Sequence, residues 1–191
     1  MAGAPAAKGT VKMQVERLTI PASRAVTTAD AKDYMRVDLA DEDALIDELI
    51  ESAEQEIEQY AGIALLTQTA RATYQGWPDL NTSCLSLPVG PVQDDATVSV
   101  TVDGVAFTAF TLSAGRYPAL TFTEFDLAVL ADALIVVDYS AGWGDAGTAV
   151  PPDLLTAVKE QVLRLYDMRG GLGLARHQSA MSPHAQRLAQ R

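Results

Sequence analysis

Apolar residues in this chain recur with one spacing from Asp38 to Gly62, with another between Gly62 and Pro151, and with the first again from Pro151 to Arg169. From Asp38 or Asp41 onward, Leu45/Ile46, Leu49/Ile50, Ala53, Ile57 and Tyr60/Ala61 return every three to four residues, which is the period of a helix with one apolar stripe. Acids crowd its start, where they complement the positive end of the helix dipole. Gly62 is a natural stop, because glycine takes up the left-handed backbone of a helix end without strain. Pro151-Pro152 opens a second helix, since proline in a first turn forfeits no helical hydrogen bond. Leu154/Leu155, Val158, Val162, Leu165 and Tyr166 form its stripe, and Gly170-Gly171-Leu172-Gly173 ends it as a hinge.

The middle reads as β-structure. Leu65–Gln75 and Leu85–Leu87 are strand-like, and Leu87-Pro88-Val89-Gly90-Pro91 interrupts the pattern. Thr97–Val102 and Val105–Leu112 alternate across Asp103-Gly104, a pair suited to the positive φ angles of a two-residue hairpin. Leu120–Phe125 and Leu134–Tyr139 read as further strands able to pair. Near the start, Val11, Met13, Val15 and Leu18 nearly alternate with polar residues, as in a strand or an arm that orders on a partner. Thr27 or Thr28 can cap a short helix at Ala29–Met35.

The expected fold class is α+β: a small helical core of two long helices plus a short one, a β-hairpin-rich insertion, and extended N- and C-terminal arms. The expected division is an N-terminal arm at 1–25, a body at 26–169 and a flexible basic tail at 170–191. Within the body, helices are expected at about 29–36, 41–61 and 152–169, with the β-rich region at about 65–140.

Charge is unevenly placed. The net charge is −11, yet residues 38–168 hold twenty-two acids against four bases, while 169–191 hold four arginines, His177, His184 and no acid. Such an acidic body lacks the Lys/Arg density of a phosphate-binding surface. Ten acids and no base lie between Asp38 and Glu58, although exposed helices usually mix signs. Asp43, Asp47, Glu51, Glu54 and Glu58 are expected opposite the apolar stripe, forming either a solvated face or one kept negative toward a basic partner or a path for DNA.

Several classes recede. The run Leu127–Val137 is broken by Asp132 and falls short of the roughly 18–20 apolar residues that span a bilayer. The start shows no apolar core of a secretory signal, so a cytoplasmic product with no membrane association is expected. The single cysteine, Cys84, excludes a disulfide within the chain and reads as a small buried or half-buried residue. Both histidines lie in the tail, away from any scaffold that could hold a nucleophile–base pair. Counting a calcium loop from Asp41 puts Ile46 at the sixth position and Ser52 at the twelfth, where Gly and Glu are needed. Gly142-Trp143-Gly144-Asp145 lacks the Lys-Ser/Thr of a phosphate loop. No catalytic, metal or cofactor site is therefore expected. Trp143 reads as a packing anchor at the end of the sheet or as a subunit contact. Two readings stay open on these residues alone: a stand-alone bacterial binding module whose acidic helix engages a basic protein, and an enzyme working with carboxylates alone.

The ordered series of acidic helix, Gly62, strand, Leu87-Pro88-Val89-Gly90-Pro91, hairpins, Val137-Asp138-Tyr139-Ser140-Ala141-Gly142-Trp143-Gly144-Asp145, Val150-Pro151, and a helix ending Leu165-Tyr166-Asp167-Met168-Arg169 resembles the head–tail connector, or adaptor, proteins of tailed phages and gene transfer agents. The resemblance spans roughly residues 26–169. It implies a structural virion protein, not an enzyme, whose copies close into a ring, usually twelvefold, beneath the portal. Such a ring extends the DNA channel and meets a stopper or tail-terminator protein, and DNA passes without sequence-specific binding. On this resemblance the two long helices supply the subunit core and ring contacts, and the β-region a face for neighbours. Asp43, Asp47, Glu51, Glu54 and Glu58 would line the channel or face a partner. Arg169, Arg176, His177, Arg187 and Arg191 would dock on the portal. The protein would be made in the bacterial cytoplasm and reside in the virion neck.

Overall fold

The computed structural model describes residues 12–78, 82–123 and 126–168. Its elements run β1 (Lys12–Arg17), α1 (Thr28–Met35), a 3-10 turn at Ala40–Glu42, and α2 (Asp43–Ala61). Then follow β2 (Gln68–Gln75), β3 (Cys84–Ser86), β4 (Val98–Val102), β5 (Val105–Phe107), β6 (Phe110–Ser113) and β7 (Ala119–Phe122). The short α3 (Leu127–Leu130), β8 (Leu134–Ala141), a second 3-10 turn and α4 (Pro152–Met168) complete the order. The protein is α+β, as its sequence implies.

Local chemistry explains the helix ends. The Thr27 hydroxyl accepts from the Asp30 amide at 3.1 Å and donates to its carboxylate at 2.7 Å, capping α1. The bond from Thr27 holds the Asp30 carboxyl below the usual carboxylate range. Helix α2 ends where Gly62 turns left-handed at φ 62°, and the Ile63 amide bonds back to the Glu58 carbonyl at 3.0 Å. The stripe Ile46, Ile50, Ala53 and Ile57 is buried against Leu154, Ala157, Val158 and Val162 of α4. Ala25, Val26, Leu65 and Leu66 close this aliphatic core.

The remaining strands build a second core. Five pair antiparallel in the order β1-β2-β8-β4-β5, and three in the order β3-β7-β6. The register forms transverse rows across the larger sheet. Val15, Ala72, Val137, Val100 and Phe107 lie in one row on the inner face; Gln14, Thr73, Val136, Thr101 and Ala106 lie in the next, on the outer face. The inner face meets Leu85, Leu120 and Phe122 of the smaller sheet, where Phe107 stacks on Phe122 and Trp77 meets its edge, both at 4.8 Å between ring centres. Buried Tyr74 donates to the Ser86 carbonyl at 2.6 Å, and buried Tyr139 accepts from the Val89 amide at 3.0 Å. Burial raises both phenols, that of Tyr139 to about 12.

Four details differ from the sequence expectation. The hairpin at Asp103-Gly104 forms with positive φ at both positions, but Val105–Leu112 is two strands, β5 and β6, in different sheets. The chain steps between sheets at Thr108–Ala109, which brings both Phe107 and Phe110 onto Phe122, a three-ring contact that overrides simple alternation. The strands at 119–122 and 134–141 do not pair with each other: β7 lies between β3 and β6, and β8 between β2 and β4, with α3 carrying the chain across. The inward position on the short strand β3 belongs to Leu85, which leaves Cys84 exposed instead of buried. Glu54 and Glu58, expected opposite the apolar stripe, turn toward the chain instead, drawn by donors on the segment between β1 and α1 and at the foot of β2. Among the described residues no helix is long and apolar enough to cross a membrane.

Candidate functional site

Helix α2 presents its carboxylates in a row, because Asp43, Asp47, Glu51, Glu54 and Glu58 follow one another at three- and four-residue steps. Each of them has a partner within the chain. Lys32 Nζ of α1 reaches Asp43 at 2.5 Å, and the Thr28 hydroxyl donates to Asp47 at 2.8 Å. The segment joining β1 to α1 then lies along the last turns as a strap. Arg24 donates to Glu51 at 2.7 Å, and the amides of Ala25 and Val26 donate to one Glu54 oxygen at 2.7 and 3.2 Å. Arg17 pairs with Glu58, which is buried and also accepts from the Leu65 amide at 2.7 Å and from Gln68 Nε2 at 3.1 Å.

Burial makes these bonds obligatory. A carboxylate withdrawn from water costs several kcal/mol unless cations and donors surround it, and Glu58 has an arginine, an amide and a backbone N–H. Glu54 is less well compensated: desolvation pushes its carboxyl up to about 7, against the lowering pull of the two amides and Arg24. A cleft of about 290 Å³ remains under the strap, lined by Arg17, Ile20, Arg24, Glu51, Glu58 and Gln68. A raised carboxyl in a cleft can mark a general acid or base, yet Glu54 spends its acceptor oxygen on the strap's own backbone. What this arrangement does is fasten the N-terminal segment to the helical core. Nothing in the sequence pairs Arg17 with a residue 41 positions away, so this fastening was not legible there.

Trp143 follows Gly142, whose φ of 137° and close approach to Leu66 exclude a side chain; an added Cβ would sit 2.5 Å from backbone atoms. The indole rests half-buried on the helical core, while Arg116 from the β-region lies over it at 5.9 Å and over Tyr117 at 5.7 Å. Trp143 thus packs on the helical core beneath Arg116 of the β-region. Across the outer face of the larger sheet, Arg71 of β2 grips Asp138 of β8 through two bonds of 2.7 and 2.8 Å, which holds the Asp138 carboxyl low. Among the described residues no group of three or more His, Cys, Asp or Glu side chains could hold a metal ion. Arg169, Arg176, His177, Arg187 and Arg191 lie outside the described residues.

No curated protein matches this chain significantly. The model of the family described as phage gp6-like head-tail connector proteins matches residues 26–106, from the start of α1 to the middle of β5. A chain of the virion of a native gene transfer agent particle superposes with a TM-score of 0.72 at 22% identity, covering 91% of this chain and 94% of that one. A chain from the neck of an empty particle of that kind, computed with C6 symmetry, gives 0.70 at 22% identity over 92% and 94%. One from the neck of a native particle computed with C12 symmetry gives 0.69 at 20% identity over the same shares. The chain is thus similar to phage head–tail connector proteins over residues 26–106, and it shares its fold across some nine-tenths of its length with chains of gene transfer agent particles.

Proposed function

We propose that this chain is a structural subunit of a virion neck, whose copies form a ring, twelvefold in our reading, that joins head to tail and extends the DNA channel. The family match over residues 26–106 carries this reading, and the C12 and C6 symmetries of the neck structures that share the fold support a ring. The ring sits beneath a portal and meets a stopper or tail-terminator on its other side. Its work is mechanical, with no catalysis. The basic tail, with Arg169, Arg176, His177, Arg187 and Arg191, docks on the portal, where complementary charge sets register. The body carries an excess of acid, so a duplex sliding past it is repelled and not gripped. On α2 the exposed members of the row, Asp43 and Asp47, offer this charge to the channel or to a partner, whereas Glu54 and Glu58 serve the strap.

Imaging of the native particle, together with light scattering of the full chain and of the chain lacking 170–191, tests the reading. Rings of this chain between portal and tail are expected, with the truncated chain failing to enter particles. Particles without the chain, and a free protein that stays monomeric, would overturn it and leave a binding module in its place.

A further inference from the structure

The larger sheet ends in two edges with which no further strand pairs among the described residues: β1 pairs only with β2, and β5 only with β4. Sheet edges with exposed apolar side chains are templates for another strand, and soluble proteins usually blunt them. Here exposed apolar side chains stand at both edges. Met13 and Val15 on β1 are 53% and 40% exposed, and Val105 on β5 is 71% exposed. Beside β5 runs a groove of about 460 Å³ lined by Val102, Val105, Phe107, Asp126, Val129 and Leu130, with Val129 59% exposed across from the strand.

The two edges match in register and parity. Met13, Tyr74, Ile135, Val102 and Val105 form one transverse row, and Val15, Ala72, Val137, Val100 and Phe107 form another two residues along. Met13 and Val15 therefore occupy the same face and rows as Val105 and Phe107, at opposite ends of the sheet. A strand placed beside β5 with this parity turns its alternate apolar side chains into the groove, while main-chain bonds fix it in place. Charge agrees: Lys12 stands at the end of β1, and Asp103 and Asp126 flank β5. Five antiparallel strands also leave β1 and β5 running in the same direction, so a copy rotated about an axis along the strands presents its β5 parallel to β1.

We propose that copies of the chain join edge to edge, β5 of one against β1 of the next, so that the sheet continues from subunit to subunit with Met13 and Val15 seated in the neighbour's groove. The contact is head-to-tail, of the kind that closes a ring when the rotation per copy divides the circle. It rests on the ring reading of this protein's function and names the surface that makes the ring.

The test is cross-linking of the full chain carrying Gln14→Cys and Ala106→Cys, with Cys84→Ser removing the native thiol, both in solution and in assembled particles. Gln14 and Ala106 lie in one outer-face row, so a bis-maleimide spanning about 8 Å bridges them whether the strands meet directly or diagonally. The expected result is a ladder of multimers in the double variant and monomers in each single variant. Val105→Asp with Val129→Asp, its fold checked by circular dichroism, should abolish the ladder. Dimers from Gln14→Cys alone would mean that β1 meets β1, which overturns the proposal. Rings seen in particles whose double variant stays monomeric on the gel overturn the proposal and leave the ring standing. Particles without the ring remove both.

Discussion

The helical core and the β-core of this protein handle their polar surface in opposite ways. Around α2 most of the carboxylates have partners within the chain: Glu51, Glu54 and Glu58 fasten the strap, Asp43 and Asp47 hold α1 while staying exposed, and Gln161 of α4 donates to Glu56 at 2.5 Å. The β-core is sealed inside by aromatic contacts and two buried tyrosines, yet among the described residues no strand pairs with either outer edge of its larger sheet. A helix satisfies its own backbone, so its side chains are free for tertiary fastening. A sheet satisfies its backbone only through neighbours, so its edges keep unmet bonding capacity for another copy. Among the described residues the unpaired strand edges therefore lie in the β-region, while the helical region fastens its polar groups within the chain.

The comparison breaks if the strap is not held by carboxylates. Glu58→Ala leaves Arg17, the Leu65 amide and Gln68 without their acceptor, and should lower stability by about 3–5 kcal/mol. A urea midpoint unchanged from the wild type would show that the charges near α2 are ornamental to the fold. A second, slightly smaller effect sharpens the contrast between the cores. Ile50→Ala and Leu120→Ala should each cost about 2–5 kcal/mol, since both side chains are fully buried. In a Trp143→Phe background, Trp77 fluorescence follows the β-core and circular dichroism at the helical band follows the helices. The two signals should lose structure together in either variant, because Leu65 and Leu66 at the foot of β2 belong to the helical core. Separate transitions would make the cores independent domains.

The smallest effect concerns Glu54, whose carboxyl is raised to about 7 in the folded state from an ordinary 4.5. Between those values the folded chain binds more protons than the unfolded one, so stability falls as pH rises through this window. Glu54→Gln keeps an oxygen for the Ala25 and Val26 amides and removes the buried charge. It should match the wild type below about pH 4 and exceed it by about 3 kcal/mol above about pH 8. A variant less stable than the wild type at pH 8 would mean that the pairing with Arg24 outweighs desolvation.

Much of this protein is legible in its sequence. The stripes of α2 and α4, the cap at Thr27, the stop at Gly62 and the hairpin at Asp103-Gly104 follow from short-range spacing, because a helix face and a tight turn are set by residues within a few positions of one another. Strand partnership was not legible. The alternation of Ile135, Val137 and Tyr139 announces a strand but cannot say that β2 and β4, rather than β7, lie beside it. The step from β5 to β6 hides inside an unbroken alternating pattern, since only the position of Phe122 makes it favourable.

The same division holds for the candidate site. The sequence by itself determined that α2 would be acidic along one row and that the chain's ends would be basic, because composition and helical period are local properties. Only the tertiary structure decided which of those carboxylates are spent. Arg17 at the end of β1 and Arg24 on the strap lie 41 and 27 positions before their partners, and burial against Leu65 and Gln68 turns Glu58 from a surface charge into a structural acceptor. The physical reason is desolvation: the cost of a buried charge depends on everything packed around it, and that environment is assembled from segments whose meeting no local pattern encodes.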